Sequence, residues 1–251
     1  MLTKLTMELE EDTIDYKKAS ALQGVMFEHI DSDYGEMLHQ SVAHPYSQYL
    51  SKKGGKTEWV INTFNDEAYE KIISPLLEPS FDDFYVKKGN AEVKIKKKSL
   101  TRTDMKELLD EFYNDKAERY FDIEALTPVA FKQNGSYNIM PETRLIFQSL
   151  MNKYSAVDDN ISMADPDTLD EFSTSAIVSW LRITTLKFPL EGVTVPGFVG
   201  NFTLHIKGTE TMTRYARLLL KFGEYSGLGV KTSMGMGAIR LTKRGKENGA
   251  E

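Results

Sequence analysis

The chain has 251 residues, enough for one large domain or two small ones. It contains no cysteine, which excludes disulfides, thiol catalysis and cysteine-ligated zinc or iron–sulfur sites. Its net charge of −6, taken alone, argues against a nucleic-acid-binding protein, for which a strongly basic domain is typical. No apolar run could cross a bilayer, and the first residues lack a signal-peptide pattern. We therefore expect a cytoplasmic protein without a membrane partner.

The charge is distributed unevenly along the chain. Residues 1–36 carry 3 basic and 9 acidic residues, whereas residues 87–106 carry 8 basic and 2 acidic residues. Residues 201–246 are also cationic, with 9 basic and 2 acidic residues. Two cationic segments within an acidic average predict an anion-binding face that the net charge conceals.

The first half of the chain alternates strand-like and helix-like segments. Gly24 interrupts the first predicted helix, which predicts a close approach of another backbone at that point. Asn65 is a predicted helix cap, and the charged segment 104–120 is predicted to be a helix that joins two domains. The periodicities predict strands at 5–9 and 57–64, a helix at 17–30, a helix after the cap, and a strand pair at 81–88 and 91–98.

The second half repeats this order with one extra hairpin, at Asn134-Gly135. A loop is predicted over the acidic stretch 157–171, and Gly223 is predicted to end the last helix. The patterns predict strands at 121–132, 136–140, 176–190, 194–207 and 238–242, and helices from Pro141 and over 209–222. Each half approximates βαββαβ. We therefore predict an α+β fold of two tandem ferredoxin-like (RRM-like) domains, 1–115 and 116–251, with a C-terminal Gly-rich loop.

The Gly-rich loop carries five glycines within residues 223–237. Because glycine lacks a Cβ, successive N–H groups of such a loop can turn toward an anion and form a nest. Lys231 and Ser233 add a charge and a hydroxyl, and a tight structural turn is the alternative interpretation. A helix rather than a strand precedes the loop, which excludes a Walker A loop and a Rossmann fingerprint.

Three of the four histidines fall within sixteen positions, at His29, His39 and His44. An imidazole can both accept and donate a proton near neutral pH. The proline that follows His44 keeps it out of a helix, and Tyr34 precedes His39 by five residues. Because the spacing of His39 and His44 is not that of a zincin helix, no metal site is predicted. His29 and His205 are interpreted as structural.

Several passages resemble one protein family, the CRISPR-associated repeat-processing endoribonucleases, which are the sixth numbered Cas family. The Gly-rich segment 227–237 carries the most specific resemblance. The other passages that resemble the family are 21–27, 38–39, 45–47, 126–132, 147–150 and 195–200. Together these passages span most of the chain.

The resemblance implies two tandem ferredoxin-like domains and cleavage of CRISPR precursor RNA within its repeats, without a metal or a cofactor. It implies products with 2′,3′-cyclic phosphate and 5′-hydroxyl ends, and therefore attack by the substrate's own 2′-oxygen. His39 matches the family's general acid/base position, and His44 is the second proton-transfer group or a cation. Phe27 stands near the position at which some members carry a tyrosine, and Tyr34 is the predicted substitute.

The resemblance also implies a track for the RNA backbone. The residues predicted to position RNA are Gly227, Gly229, Lys231, Ser233, Gly235, Gly237, Arg240, Lys94, Lys96 and Lys98. The predicted partner is CRISPR repeat RNA, and a transient association with a CRISPR effector complex and a homodimer are further predictions.

Two alternatives stay open: a non-catalytic guide-RNA-binding subunit of an effector complex, and a metabolic α+β enzyme for a phosphorylated small molecule. The pair His39 and His44 favours the endoribonuclease over the first alternative. The long basic segments argue against the second, because a small phosphate needs only one or two cations.

Overall fold

The computed structural model describes residues 1–10, 14–41, 43–87, 90–114, 118–157, 164–190 and 192–242. Two antiparallel sheets form its framework, one built from residues 2–103 and the other from residues 120–242. A two-stranded hairpin accompanies the second sheet. Within the described ranges, no helix has both the length and the apolar character needed to cross a membrane.

The first unit has the strand order β2-β3-β1-β5-β4. Without the edge strand β4, this order is that of a ferredoxin-like βαββαβ unit that ends with β5. A 3₁₀ turn, Tyr16–Lys18, leads into α1, and a π-helical turn, Tyr69–Ile73, joins α3 to α4. The elements are β1 (Leu2–Leu9), α1 (Ala19–His29), α2 (Ser32–Gln40), β2 (Tyr46–Lys53), β3 (Lys56–Thr63), α3 (Asp66–Ala68), α4 (Ser74–Leu77), β4 (Asp83–Val86) and β5 (Ala91–Thr103).

The second unit has the strand order β11-β6-β10-β9, which is again that of a βαββαβ unit. The hairpin β7–β8 follows its first strand and confirms the predicted extra hairpin. The elements are α5 (Met105–Asn114), β6 (Tyr120–Val129), β7 (Phe131–Gln133), β8 (Ser136–Asn138), α6 (Thr143–Ser155), α7 (Pro166–Ser175), β9 (Ala176–Leu190), β10 (Val193–Ile206), α8 (Glu210–Ser226) and β11 (Ile239–Thr242). The predicted tandem ferredoxin-like fold is confirmed.

Each sheet buries one face beneath its helices. In the first unit the alternation of β1 turns Leu5 and Met7 toward α1, whose Leu22 and Met26 are also buried. In the second unit the apolar stripe of α6, the helix predicted from Pro141, is fully buried against α8 and the sheet. Burial of each such side chain contributes ~1.5–3 kcal/mol, so the helices are held mainly by these contacts.

Helix α5 lies between the two sheets in sequence but packs with the second unit. Leu108 belongs to the second core, and Arg214 of α8 donates to the carbonyl of Tyr113 at 3.0 Å. Lys221 of α8 forms an ion pair with Glu111. The boundary between residues 115 and 116 stays a prediction, and it assigns to the first domain a helix that packs on the second.

One helix was not predicted, and two predicted local features are wrong. The segment carrying His39 is a second helix, α2, which begins because the Asp31 carboxylate accepts a bond from the N–H of Tyr34 at 3.0 Å. Part of the predicted acidic loop is α7, capped by Asp165, while residues 158–163 lie outside the described residues. The predicted close approach at Gly24 is also wrong, since a Cβ there would meet nothing within 4 Å.

Gly223 does not end α8, which continues to Ser226 before Gly227 stops it with a φ of +70°. Gly223 instead makes room for neighbouring side chains, because a Cβ there would lie 2.9 Å from Leu150 Cδ2 and 3.0 Å from Ile239 Cδ1. Its absent side chain therefore allows α6, α8 and β11 to pack closely.

The two units meet around Tyr225, at the end of α8. Its phenol oxygen lies 2.9 Å from the Thr103 hydroxyl, and the Lys4 ammonium lies 4.8 Å from its ring centroid. The Ser47 hydroxyl donates to the Tyr225 carbonyl. These contacts hold the C-terminal Gly-rich loop beside the N-terminal helices.

Candidate active site in the cleft between the two units

A cleft of about 1290 Å³ lies between the two units. Helix α1 and the segment after α2 form one wall, and α6 with the Gly-rich loop forms the other. Both predicted catalytic histidines face this cleft together with the predicted lysine of the loop. The side chains that bear on its chemistry are Gln23, Phe27, Glu28, His39, His44, Lys87, Lys132, Gln148, Ser149, Asn152, Lys153, Lys231 and Ser233.

His39 lies in the last turn of α2 and is exposed to the cleft. Its imidazole stacks on the Phe27 ring of α1, with centroids 4.6 Å apart and an interplanar angle of 15°. Gly35 leaves space for that ring, because a Cβ there would lie 3.2 Å from Phe27 Cδ1. Phe27 therefore orients His39 by stacking.

His44 follows α2 in an irregular segment, as predicted, and is half-buried against Tyr46 with ring centroids 5.6 Å apart. Burial lowers the pKa of His44 below its ordinary value, and the neighbouring charges of His39 and Lys231 lower it further. His44 is therefore a neutral imidazole at pH 7. His39 and Lys231 line the same cleft as His44.

Lys231 occupies the left-handed backbone region, with φ +58° and ψ +31°. This conformation costs a non-glycine residue ~1–2 kcal/mol. The carbonyl of Lys231 accepts bonds from Met234 N at 3.0 Å and Met236 N at 3.2 Å, and Val230 N donates to Ala130 O at 2.9 Å. These bonds fix the strained backbone and hold the exposed side chain at the cleft.

The predicted anion nest is wrong for most of the loop, because its N–H groups are used inside the protein. Gly227 donates to Gly223, Gly229 to the Ser149 hydroxyl, and Gly237 to Pro128, all at 2.9 Å. The glycines are needed for space instead. A Cβ at Gly229 would lie 2.2 Å from Ala130 O, one at Gly237 2.2 Å from Leu228 O, and one at Gly235 2.3 Å from Ala19 Cβ. Gly227, Gly235 and Gly237 are buried and do not line the cleft.

Ser233 lines the cleft but is buried, and its hydroxyl hydrogen-bonds to the Tyr46 phenol. Gln23 Nε2 also donates to the Tyr46 phenol, at 2.7 Å. This chain of bonds joins α1, β2 and the loop. Ser233 therefore attaches the loop to the first unit rather than offering a free hydroxyl to a phosphate.

Tyr34 is not brought to the cleft. It lies on the face of α2 that carries Leu38 into the first core, and it is only 5% exposed. Its hydroxyl is buried without a hydrogen-bond partner, and burial raises the pKa of Tyr34 to about 12. The predicted catalytic role of Tyr34 therefore has no support in its position.

The predicted basic track on the strands also lies outside the cleft. Arg240 forms an ion pair with Glu124 on the second sheet. Lys98 donates to Glu78 O at 2.8 Å and covers the Phe81 ring, so it turns away from the exposed Lys94 and Lys96. None of these residues lines the cleft.

The cleft is cationic, and three of its four lysines are ones that the sequence patterns did not single out. Among the described lining residues, Lys87, Lys132, Lys153 and Lys231 face a single acidic side chain, Glu28, which pairs with Lys87. The cleft therefore has the opposite charge to the chain as a whole.

Lys153 binds the Gly-rich loop from α6. Its ammonium group donates to Gly227 O at 3.0 Å and to Ser226 O and Thr232 Oγ1 at 3.3 Å, and burial lowers the pKa of Lys153 to about 7. Its place on the polar face of α6 resembles that of an ordinary solvated lysine, so sequence alone gives no signal for this role.

Within the described ranges, His, Cys, Asp and Glu side chains form no group of three or more that could hold a metal ion.

Comparisons with known proteins agree with this arrangement. The family described as CRISPR-associated endoribonuclease Cas6 matches residues 123–239. A CRISPR-associated endoribonuclease Cas6 of Mycobacterium tuberculosis is 37% identical over 246 residues, covering 96% of this chain and 78% of that protein. Another, from Streptococcus thermophilus, is 36% identical over 229 residues, covering 90% of this chain and 92% of that protein.

Solved structures share the fold. A Cas6 product complex superposes with a TM-score of 0.80 at 19% identity, covering 96% of this chain and 100% of that chain. A Thermus thermophilus Cas6 superposes with a TM-score of 0.75 at 20% identity, covering 96% of this chain and 98% of that chain. On the identity and coverage of the sequence relatives, this chain belongs to the CRISPR-associated endoribonuclease Cas6 family.

Proposed function

We propose that the chain is an endoribonuclease that cleaves precursor CRISPR RNA within its repeats, releasing guide RNA units. The observation that carries the proposal is the cleft, which is lined by His39 and His44 of the first unit and by Lys231 of the second. The relatives named as endoribonucleases are similar over nearly the whole chain. The scissile phosphodiester would lie between the two histidines and Lys231.

The size and charge of the cleft support an RNA substrate. Its volume of about 1290 Å³ exceeds the ~300–1,000 Å³ that is typical of small-molecule pockets. Lys132 and Lys231 bring positive charge to the cleft beyond the Lys87–Glu28 pair, which suits a polyanionic chain. These features favour RNA over the metabolic alternative.

The reaction we propose needs a base, an acid and a cation. The neutral His44 takes the proton from the substrate's 2′-hydroxyl, and the 2′-oxygen forms a bond to the adjacent phosphorus. The bond from phosphorus to the 5′-oxygen breaks, and His39 donates a proton to that oxygen. The Lys231 ammonium stabilises the extra negative charge of the phosphorane. The products carry a 2′,3′-cyclic phosphate and a 5′-hydroxyl, and no step uses a metal.

Replacement of His39 tests this function most directly. We expect His39→Ala to lower the cleavage rate of a labelled repeat RNA by ~10²–10⁴-fold, with repeat binding nearly intact. His29→Ala is the matched control, because His29 lies outside the cleft and bonds to Val25 O of its own helix at 2.8 Å. Undiminished cleavage by the His39 variant would refute the assignment.

The nature of the chemistry is tested by the reaction conditions and by the substrate. Wild-type protein should cleave the repeat RNA in EDTA, and the product ends should be those given above. A repeat with a 2′-deoxy nucleotide at the cut site should bind and resist cleavage. Strong inhibition by EDTA would overturn metal independence, and binding without cleavage by the wild type would favour the guide-RNA-binding subunit.

The wider partners are part of the same proposal. CRISPR repeat RNA is the proposed substrate, while a transient association with an effector complex, a homodimer and a cytoplasmic location stay predictions. Sedimentation of the purified chain, alone and with repeat RNA, tests the homodimer. Co-purification with effector subunits tests the association.

A further inference from the structure

A second surface with RNA-binding chemistry lies on the face of the second sheet that the helices leave open. Tyr120 of β6 stacks on His205 of β10, with ring centroids 4.2 Å apart and an interplanar angle of 11°. These two strands are the central pair in the order β11-β6-β10-β9. The stack therefore lies on the two central strands, at the end of the sheet where β6 begins and β10 ends.

The edge strand β9 adds a tryptophan to the same face. Trp180 lies opposite Thr203 and Ile177 lies opposite His205 in the β9–β10 ladder. Residues directly opposite in an antiparallel pair project to the same side of the sheet. Thr203 donates to Asp122 at 2.5 Å on this side. Trp180, Thr203, Asp122 and the Tyr120–His205 stack thus form one patch, which we call the open-face patch.

The open-face patch exposes large side chains. Trp180 is 51% exposed, Tyr120 41% and Ile177 37%. Trp59, the other tryptophan of the chain, is fully buried. An exposed cluster of large side chains on a folded protein indicates a surface that binds a ligand or a partner molecule.

We propose that the open-face patch binds unpaired RNA bases, which stack on Trp180 and on the Tyr120–His205 pair. In a four-stranded sheet, aromatic side chains on the central strands provide the usual platform for two or three single-stranded bases. Arg182 lies one row along on the same face, opposite Asn201, and supplies a cation for the backbone or a planar group for stacking.

The polar groups of the patch are compatible with this ligand. The Asp122 carboxylate accepts a bond from Thr203, and Glu124 pairs with Arg240, so both nearby acids are already engaged. Engaged polar groups lie between the rings, whereas the centre of a protein–protein interface is usually more uniformly apolar. These features favour bases over a second copy of the chain.

The inference rests on the proposed function only in naming precursor CRISPR RNA as the ligand. The patch shares no residue with the cleft, so it would hold an unpaired segment away from the scissile phosphate. It would add affinity for RNA that extends beyond the segment in the cleft, without taking part in proton transfer.

The test measures binding rather than cleavage. A fluorescently labelled single-stranded oligouridylate of about eight nucleotides is titrated with wild-type protein, Trp180→Ala, Trp180→Phe and Tyr120→Ala. Base–aromatic stacking predicts about a tenfold loss of affinity for each alanine variant and a much smaller loss for Trp180→Phe, which keeps a stacking ring. Val193→Ala is the control, because Val193 is another exposed apolar residue of the same hairpin and is 59% exposed.

Equal oligouridylate affinity of wild type and Trp180→Ala would overturn the inference. So would sedimentation showing that Trp180→Ala abolishes a dimer while leaving oligouridylate affinity unchanged, which would assign the patch to a second copy. Circular dichroism checks that each variant is folded, and Trp180→Phe keeps the test decisive if an alanine variant is not. Because the assay measures binding and not cleavage, it tests the open-face patch even if the chain does not cut repeat RNA.

Discussion

The interpretation of the Gly-rich loop as a tightly packed support for Lys231 makes a quantitative prediction for Gly229→Ala. Gly229 has a φ of +79°, and a Cβ there would lie 2.2 Å from the Ala130 carbonyl oxygen. Gly135 has a nearly identical φ of +80°, but a Cβ there would meet nothing within 4 Å. The pair separates the cost of the backbone conformation from the cost of the steric clash.

The magnitudes follow from these two environments. An alanine in the left-handed region costs ~1–2 kcal/mol, which both variants incur. In Gly229→Ala the backbone must also move to relieve the clash, and forced overpacking typically costs a further ~1–3 kcal/mol. That movement disturbs the 2.9 Å bonds from Val230 N to Ala130 O and from Gly229 N to Ser149 Oγ. We expect Gly229→Ala to destabilise the protein by ~2–5 kcal/mol and Gly135→Ala by ~1–2 kcal/mol.

The assay is urea unfolding of both variants and the wild type, followed by cleavage of repeat RNA under folding conditions. Gly229→Ala should also reduce cleavage at temperatures where it is folded, because Lys231 lies two residues further along the displaced loop. If Gly229→Ala destabilises the protein no more than Gly135→Ala, the clash is absent and the loop is not held as described.

Three further predictions concern the site residues that the sequence predicted. Lys231→Gly should relieve the left-handed strain and raise stability by up to ~1–2 kcal/mol, while it lowers the cleavage rate. Thermal melting measures the stability, and cleavage of repeat RNA measures the rate. An equal loss of stability and of cleavage would contradict a separate chemical role for Lys231. Tyr34→Phe removes a buried hydroxyl that has no partner, so stability should stay equal or rise by ~1–3 kcal/mol and cleavage should be unchanged, whereas a large loss of cleavage would restore the catalytic role. The pKa of His44 is lower in the folded than in the unfolded state, so the unfolded state takes up a proton first and stability falls as the pH drops below about 6.5. His44→Asn should remove that part of the acid-side loss in urea unfolding at pH 7.5 and 5.5, and an unchanged loss would contradict it.

Sequence periodicity was sufficient for the fold because most elements bury one face. The alternation of β1 and the stripe of α6 both point into a core, and both were predicted. Strand β2 was missed for the opposite reason. Its polar residues Ser47 and Gln48 are buried on opposite faces and are hydrogen-bonded, to Tyr225 O and Ala19 O respectively. A strand covered on both faces and lined with satisfied polar groups has no apolar alternation to detect.

The candidate site was only partly predictable. His39 and His44 are near each other in sequence, so their clustering was visible. The glycine content of the Gly-rich loop, by contrast, suits either an anion nest or a tight turn. The choice depends on the carbonyls of Ala130 and Leu228, which fill the space next to the glycines. The role of Lys153 depends likewise on the end of a helix more than seventy residues away.

The composition of the cleft links its chemistry to the contact between the two units. The histidines belong to the first unit and Lys231 to the second, so neither unit alone contains the proposed base, acid and cation. Catalytic groups must be held within about 0.5 Å of their working positions. The bonds that supply this precision run from Gln23 through Tyr46 to Ser233, and from Lys153 to the end of α8. Loosening of these bonds is therefore expected to stop cleavage while both sheets are still folded, so the unit interface belongs to the proposed active site as much as the histidines do.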